Sequence, residues 1–444
     1  MEKKAIVIGA GLAGSLWSIY LAKAGYKVTV YERRKNIRDV EISAGKSINL
    51  ALSTRGWKAL EGAGIKQEVE EIAIPMPGRM MHSVDGELTF QPYGQEGQAI
   101  YSVSRGHLNA IMMNLAEEKG NANIFYEHKC VGVNLEEGKV TIQNTQTKEV
   151  FEDEADVVFG ADGAFSSVRY KGFQKTNRFD YLQDFIDDGY KELLLPANED
   201  GSYKLEKNAL HIWPRGRFML IALPNEDGSF TCTLFMPFEG ENSFETLTTD
   251  EKVDQFFKDT FPDFYAIMPN LIENWHAHPL SSLCIIRCYP WTKGKTALLG
   301  DACHATVPFY GQGMNASFED CTVLNDLMIK HNENWKEVFK EYQETRKKDG
   351  DALQDLSLHN YYVMRDYVAD PTFLFQKKIE AKLSGKYPDE WMPLYSQVTF
   401  SHIPYSKAWE VGQKQDEIMK KAIEVHGLSD EKKIEDEALL SIRK

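Results

Sequence analysis

An apolar run at residues 4–8 breaks at a glycine turn, and the stretch that follows, 15–24, repeats its apolar positions at helical spacing. A second apolar run, 26–31, comes next, so the chain opens as a βαβ unit reaching to about residue 70. Residues 124–134, 139–144 and 156–160 predict further strands. From about residue 172 the pattern changes. Residues 209–212, 217–223, 229–236 and 282–289 read as strands separated by turn-rich stretches such as Pro214-Arg-Gly216 and Asn225-Glu-Asp-Gly228, which predicts an antiparallel sheet. An apolar strand returns at 296–300, followed by a turn and a long helix from about residue 315. Helical periodicity holds from 334 to the end, broken at Pro371 and Pro393.

The first turn, Gly9-Ala-Gly-Leu-Ala-Gly14, carries the chemistry. Gly9 permits the tight turn, Gly11 lets a phosphate approach the backbone, and Gly14 lets helix and strand pack closely, with the helix N-terminus facing a pyrophosphate. Glu32 closes the second strand where a carboxylate would accept hydrogen bonds from an adenosine ribose. Arg33 and Arg34 follow at once; they suit a ribose phosphate, or simply a solvated basic start to a loop. Two later turns extend the set. Gly160-Ala-Asp162-Gly163 follows an apolar strand and is able to set Asp162 near a cofactor. Gly300-Asp301 ends another strand and continues through Pro308-Phe-Tyr-Gly311-Gln-Gly313-Met314-Asn315 into a helix. There Asp301 is placed to accept from a ribityl chain, and the N–H groups of 313–315 to meet a flavin pyrimidine edge. The three turns in this order point to bound FAD.

The fold class expected is α/β. A Rossmann-like FAD-binding domain (1–75, 96–171 and 290–345) interleaves with a mainly antiparallel β-sheet substrate domain (76–95 and 172–289), and a C-terminal α-helical region (346–444) closes the pocket. A chain of 444 residues has room for this and for a substantial core. A net charge of −15 argues against a nucleic-acid partner. Cys130, Cys232, Cys284, Cys288, Cys303 and Cys321 form no paired CxxC knots, so reduced thiols and no metal site are expected. The glycine-broken start does not read as a signal peptide, and no run approaches about 18 apolar residues, so a soluble cytoplasmic protein without a membrane anchor is expected.

The glycine start, central Asp-Gly turn and late Gly-Asp segment, in order over residues 1–330, resemble the single-component FAD-dependent aromatic monooxygenases of the para-hydroxybenzoate hydroxylase type. A second glycine fingerprint is missing, in keeping with a family whose NADPH reduces the flavin without its own nucleotide domain. Six further segments resemble one branch of it, acting on an aromatic amino acid with a ring amino group: Gly45-Lys-Ser-Ile-Asn-Leu-Ala-Leu-Ser-Thr-Arg-Gly56, Tyr101-Ser-Val-Ser-Arg105, His211-Ile-Trp-Pro-Arg-Gly216, Pro308-Phe-Tyr-Gly-Gln-Gly-Met-Asn315, His359-Asn-Tyr-Tyr-Val-Met-Arg365 and Pro393-Leu-Tyr-Ser-Gln-Val-Thr-Phe400.

The resemblance implies NADPH- and O2-dependent ring hydroxylation through a flavin hydroperoxide. It assigns Arg79, Tyr93, Asn360 and Tyr395 to the amino-acid end of the substrate, which suits a guanidinium fork supported by phenol and amide groups. It sets Arg105 on the cofactor, Ala51 and Arg55 in the segment lining it, and Met314 and Asn315 at the flavin ring. No side chain is assigned as acid or base, because the cofactor supplies the reactivity; His304 reads as a packed or hydrogen-bonded histidine. The family's eukaryotic members carry a hydrophobic C-terminal anchor, whereas this chain closes on a charged tail, and residues 405–428 read as an amphipathic helix capping the pocket through Trp409, Val411, Ile418 and Ile423. Two alternatives stay open: hydroxylation of another aromatic substrate, and a flavin redox protein acting on a protein partner. The sequence leaves the oligomeric state open, a homodimer included.

Overall fold

The computed structural model describes residues 2–39, 49–363 and 370–443. Residues 45–48 and 364–365 of the motif segments quoted above lie outside the described residues. A six-stranded sheet is ordered Thr292–Lys293, Thr296–Leu298, Val157–Gly160, Lys4–Ile8, Lys27–Tyr31, Asn123–Phe125. Four of its five pairings are parallel, only Thr292–Lys293 with Thr296–Leu298 being antiparallel, with Ile8 beside Gly160 and Gly160 beside Leu298. Three segments far apart in the chain therefore end together. Each ends in one of the glycine motifs, so all three open onto the carboxyl edge of one sheet, where α/β folds bind ligands.

The helix Leu12–Lys23 follows the first strand. It was expected to be amphipathic, yet residues 14–21 are all buried. The helices Arg105–Glu118 and Gly313–Lys330 pack against it opposite the sheet, so it has no solvent face to mark with polar residues.

A seven-stranded sheet is ordered Leu280–Tyr289, Asp180–Leu195, Phe230–Pro237, Met219–Pro224, Leu210–Pro214, Gly78–His82, Leu88–Pro92; all neighbours are antiparallel except the parallel pair 210–214 with 78–82. Its longest strand, Asp180–Leu195, is absent from the sequence reading. The first half is mostly exposed on both faces, so it lacks the alternation that announces a strand. Three helices not anticipated in this region, Asp250–Thr260, Pro262–Ile267 and Leu271–Ala277, cover one face and enclose a core of Trp213, Phe257, Phe261, Phe264 and Trp275. The single strand expected over 124–134 divides into Asn123–Phe125 and His128–Asn134, which belong to different sheets; Glu127, at φ 58°, turns the chain between them.

The last part of the chain is helical: Trp335–Tyr362, Pro371–Lys386, Leu394–Thr399, Tyr405–His426 and Glu431–Ile442. Pro371 stands at the start of its helix, and Asp370 caps it by accepting from the N–H groups of Thr372 and Phe373. The helix Tyr405–His426 buries Tyr405, Ala408, Gly412, Gln415, Met419 and Ala422, whereas Trp409, Val411, Ile418 and Ile423, the contacts expected, lie on its half-buried flanks. Small residues decide this. A Cβ at Gly412 would lie 2.8 Å from the Leu394 side chain, so the helix seats closely through its smallest ridge. Among the described residues no helix is long and apolar enough to cross a membrane.

Phe257 is fully buried between the helices and the seven-stranded sheet. Phe257→Ala is expected to cost about 3–5 kcal/mol through the cavity it leaves. Urea denaturation measures this; an unchanged midpoint would mean that this core does not stabilise the chain.

Candidate functional site

At the shared sheet edge the backbone does most of the work. Gly9 has φ 103°, and a Cβ there would sit 2.6 Å from the Ala161 carbonyl oxygen. A Cβ at Gly14 would sit 2.0 Å from the Gly9 oxygen, which is the close helix-to-strand packing expected of the third glycine. Gly11 differs: nothing lies within 4 Å of a Cβ placed there. It caps the helix Leu12–Lys23, whose first N–H groups have no partner within the helix. This open cradle at a helix N-terminus fits a pyrophosphate. The Glu32 carboxylate lies against the same turn, accepting from Ala10 N (2.9 Å) and Arg34 N (2.9 Å). Arg33 points to solvent.

The Asp162 carboxylate is engaged locally. It accepts from Ser167 N (2.6 Å), Val168 N (3.2 Å) and the Ser166 hydroxyl, so it fastens the start of the helix Ser167–Lys171. Burial pushes its carboxyl up from the usual range.

The late motif forms a second open helix start. Gly300, at φ 62°, turns the chain into the short helix Asp301–His304, with Asp301 half-buried at its head. Gly311, at φ 66°, precedes the helix Gly313–Lys330. The first bond of that helix runs from Ala316 N to Gln312 O, so the N–H groups of Gly313, Met314 and Asn315 have no partner within it. The Asn315 side chain is wholly committed: it accepts from Ser53 N (2.9 Å) and donates to Ala51 O (2.8 Å) and Gly311 O (3.0 Å). Here the groups left without a helical partner are the backbone N–H groups of 313–315, while the Asn315 side chain staples this turn to the strand Leu50–Leu52. That strand pairs Ala51 with Ser102, three residues before the exposed Arg105. Two helix starts and a carboxylate suit the anionic and hydroxyl-bearing parts of FAD.

Beside this edge stands an aromatic stack. Tyr93 and Tyr395 lie parallel at 5.2 Å and 14°, and Tyr395 continues onto Tyr310 at 5.7 Å and 21°. The Arg79 guanidinium sits 5.2 Å from the Tyr93 ring centre and 5.8 Å from that of Tyr395. Arg79, Tyr93 and Tyr395 come from remote parts of the chain and meet. Asn360 joins them at one remove, donating to the Phe309 carbonyl (2.7 Å) next to Tyr310. Phe309 in turn packs with Phe235 and Tyr361, closing an apolar wall. Burial pushes the Tyr93 and Tyr310 phenols up, and that of Tyr395 to about 12, so all three stay neutral donors across the physiological range.

Sequence reasoning missed the charged cluster beneath. Glu319 and Asp320 are adjacent on the helix Gly313–Lys330, Asp320 fully buried and Glu319 largely so. Asp320 accepts from His304 Nε2 (2.6 Å), Arg346 Nε (2.7 Å) and Gly300 N (3.1 Å). Glu319 accepts from Arg55 Nη1 (2.6 Å) and Arg346 Nη1 (2.7 Å). Arg55, in the segment expected to line the cofactor, directs its side chain into this cluster and donates to the carbonyls of Val398 and Ile403. His304 is the bonded histidine expected. Burial lowers its basicity, but Asp320 outweighs that and lifts it above the usual range. Two acids side by side between the buried positions Phe318 and Cys321 were a signal that some cation must cover them. Cys303, His304 and Asp320 sit close enough to suggest a metal, yet the Asp320 oxygens are filled by Arg346, His304 and Gly300, and burial pushes the Cys303 thiol up.

The FAD-binding-domain family profile matches residues 2–357. The chain is 53% identical over 426 residues to the kynurenine 3-monooxygenase of Flavobacterium johnsoniae, covering 96% of this chain and 95% of that one. It is 42% identical to the kynurenine 3-monooxygenase of Dictyostelium discoideum, covering 95% and 94%. Among solved structures it is similar to 2-methyl-3-hydroxypyridine-5-carboxylic acid oxygenase, with a TM-score of 0.68 at 21% identity over 84% of this chain and 95% of the other, a likeness of fold.

Gly11→Ala fills open space, so it is expected to leave folding intact and to weaken FAD, whereas Gly14→Ala collides with backbone and is expected to abolish the folded protein. Thermal unfolding and bound-flavin absorbance read both; equal effects would contradict the assignment. A second outcome follows from charge. Burial raises the Glu319 and Asp320 carboxyls, but Arg346 with Arg55 for Glu319, and His304 with Arg346 for Asp320, hold both below the usual range. Their stabilisation is present above the ordinary carboxylate range, about pH 4, and is lost as pH falls through the lower folded values. Glu319→Gln is expected to cost about 3–5 kcal/mol at neutral pH. The gap to the native chain should narrow on acidification; a gap constant with pH would refute the pairing.

Proposed function

The chain belongs to the kynurenine 3-monooxygenases, within the FAD-binding-domain family, and from that premise we propose that it hydroxylates L-kynurenine to 3-hydroxy-L-kynurenine, with FAD as its bound cofactor and NADPH and O2 as co-substrates. One observation carries the reading in the geometry: the Arg79–Tyr93–Tyr395 group stacks directly on Tyr310, inside the same loop that leads into the open helix start at Gly313. A polar grip for an amino acid and a seat for a flavin are thus one loop apart.

When bound, FAD supplies the electrons from NADPH and the activation of oxygen. The protein supplies position. Arg79 takes the α-carboxylate of the substrate with its planar pair of donors, and the neutral hydroxyls of Tyr93 and Tyr395 orient the same end. Asn360 acts through Phe309, fixing the loop on which Tyr310 stands. Phe235, Phe309 and Tyr361 exclude water from the aromatic end. The ring amino group makes the adjacent carbon electron-rich, so no protein base is required to activate it. Gly9, Gly11, Gly14 and Glu32 take the adenosine and pyrophosphate part of FAD. Ala51, Arg105, Asp301 and the N–H groups of Gly313, Met314 and Asn315 take the ribityl and flavin part, where helix dipole and free N–H groups stabilise negative charge on the reduced ring. Arg33, exposed beside Glu32, is the outermost member of this set. All six cysteines are free and five are buried, which supports a reducing, cytoplasmic setting.

Anaerobic mixing with NADPH, with and without L-kynurenine, tests the reading. Flavin bleaching is expected to accelerate when L-kynurenine is present, and 3-hydroxy-L-kynurenine to form once oxygen is admitted; no acceleration would remove the substrate. Arg79→Ala is expected to raise KM for L-kynurenine by about 10- to 100-fold, the scale of a lost charged hydrogen bond. The decarboxylated analogue should be indifferent to the change; equal losses for both compounds would exclude the carboxylate fork.

A further inference from the structure

Residues 398–406 connect the short helix carrying Tyr395 to the helix Tyr405–His426, and their path is set by groups that belong to the cofactor side. Arg55 stands on the helix Thr54–Ala63 with its side chain wholly buried. Its Nε donates to Val398 O (3.1 Å), its Nη2 to Ile403 O, and its Nη1 to Glu319 (2.6 Å). The face of the guanidinium lies 4.1 Å from the Tyr405 ring centre. The Tyr405 hydroxyl donates to Gln312 Oε1 (3.1 Å), the residue at the cap of the helix Gly313–Lys330. Asp349 secures the far end, accepting from Ser406 N (3.0 Å) and its hydroxyl (2.7 Å), and Arg346 joins Asp349 to Glu319.

The segment just before Arg55 completes the link. Ala51 O and Ser53 N are the groups that the Asn315 side chain binds. One short stretch, 51–55, therefore holds the open helix start through its backbone and the substrate-side segment through Arg55. The bonding needs are specific to arginine. Two carbonyls and a carboxylate lie in different directions around one plane, and an aromatic ring covers the face; a lysine ammonium, a point charge on a flexible stem, satisfies no such set. The charge is tolerated in the interior because Glu319 pairs with it.

We propose that Arg55 is a positioning residue for ring hydroxylation: by tying 398–405 to the 51–55 stretch and to Gln312, it sets the distance between Tyr395 and the flavin seat. This rests on the reading of Tyr395 as a substrate ligand. If the tie loosens, L-kynurenine still binds and still promotes NADPH oxidation, but its ring carbon stands out of reach. The electrons from NADPH then reduce O2 with two protons to hydrogen peroxide, and no ring bond is formed.

The test compares wild type, Arg55→Lys, Tyr405→Phe and Phe257→Ala as flavin-loaded proteins, measuring 3-hydroxy-L-kynurenine formed per NADPH oxidised, hydrogen peroxide, KM, kcat and Tm. Arg55→Lys is expected to lower product per NADPH by about 10-fold, within the roughly 100-fold that a displacement of about 1 Å at a reacting centre can cost, with matching peroxide. KM should change little beside that loss. Tyr405→Phe keeps the ring under Arg55 and removes only the bond to Gln312, so a smaller loss of the same kind is expected, and it serves should Arg55→Lys fail to fold. Phe257→Ala destabilises a remote core and should leave product per NADPH unchanged. Product per NADPH equal to wild type in Arg55→Lys, or, should that variant not fold, in Tyr405→Phe, overturns the proposal, whatever happens to Tm. Failure of the substrate reading looks different, because wild type itself would then show no stimulation of NADPH oxidation by L-kynurenine.

Discussion

Two neighbouring carboxylates buried in one helix impose the central constraint. Glu319 and Asp320 lie where isolated charges would cost several kcal/mol each, and removing either charge by protonation would strand the guanidiniums beside them. The structure meets this by drawing in cations from elsewhere: Arg55 from the helix after the second strand pair, Arg346 from the long C-terminal helix, and His304 from the turn after the last parallel strand. Asp320 also takes the N–H of Gly300, so the late glycine turn is anchored to the same point. Because the partners come from three separate segments, around residues 55, 300–304 and 346, satisfying two charges cross-links the edge that carries the glycine turns to the C-terminal region. Burying those charges leaves few alternative arrangements of the segments that carry them.

From that anchor the site divides by chemistry. On one side the recognition groups are backbone: the open cradle at Gly11, the N–H groups at two helix starts, and Glu32 held against the turn. Backbone donors suit a cofactor that must be held firmly and always in the same pose. On the other side the groups are side chains: Arg79 over the rings of Tyr93 and Tyr395, with Tyr310 extending the stack. Side chains from four separate segments suit a substrate that must enter and leave. Tyr310 and Gln312, only two residues apart in the chain, serve both sides, one stacking on Tyr395 and the other receiving the Tyr405 hydroxyl.

The cofactor half was legible because its rules are local. A turn that needs glycine, a strand before it and a helix after it leave marks within a few residues, and Gly9, Gly11 and Gly14 stand in the structure as that logic requires. The motif logic was incomplete at Asp162, whose carboxylate fastens its own helix start, and at Asn315, whose side chain is spent on Ala51, Ser53 and Gly311. A sequence motif does not say which atoms of a residue face the ligand. Arg55 was placed only by its segment, and a sequence motif does not show that its long side chain turns to partners more than two hundred residues away. The strand Asp180–Leu195 was missed because an exposed half has no apolar alternation to detect. The stack of Tyr93, Tyr310 and Tyr395 was not readable from spacing at all; family resemblance identified Tyr93 and Tyr395, and only the fold brought Tyr310 to them.

Presentation of the substrate ring to oxygen activated at the flavin seat, with the amino-acid end held by Arg79, is tested most directly by turnover of L-kynurenine under 18O2, with the product weighed and its position of hydroxylation assigned. One heavy oxygen from dioxygen is expected on the ring carbon beside the amino group, formed in step with NADPH oxidation. Product without the label, or NADPH consumed in the presence of L-kynurenine with no hydroxylated product, would contradict it.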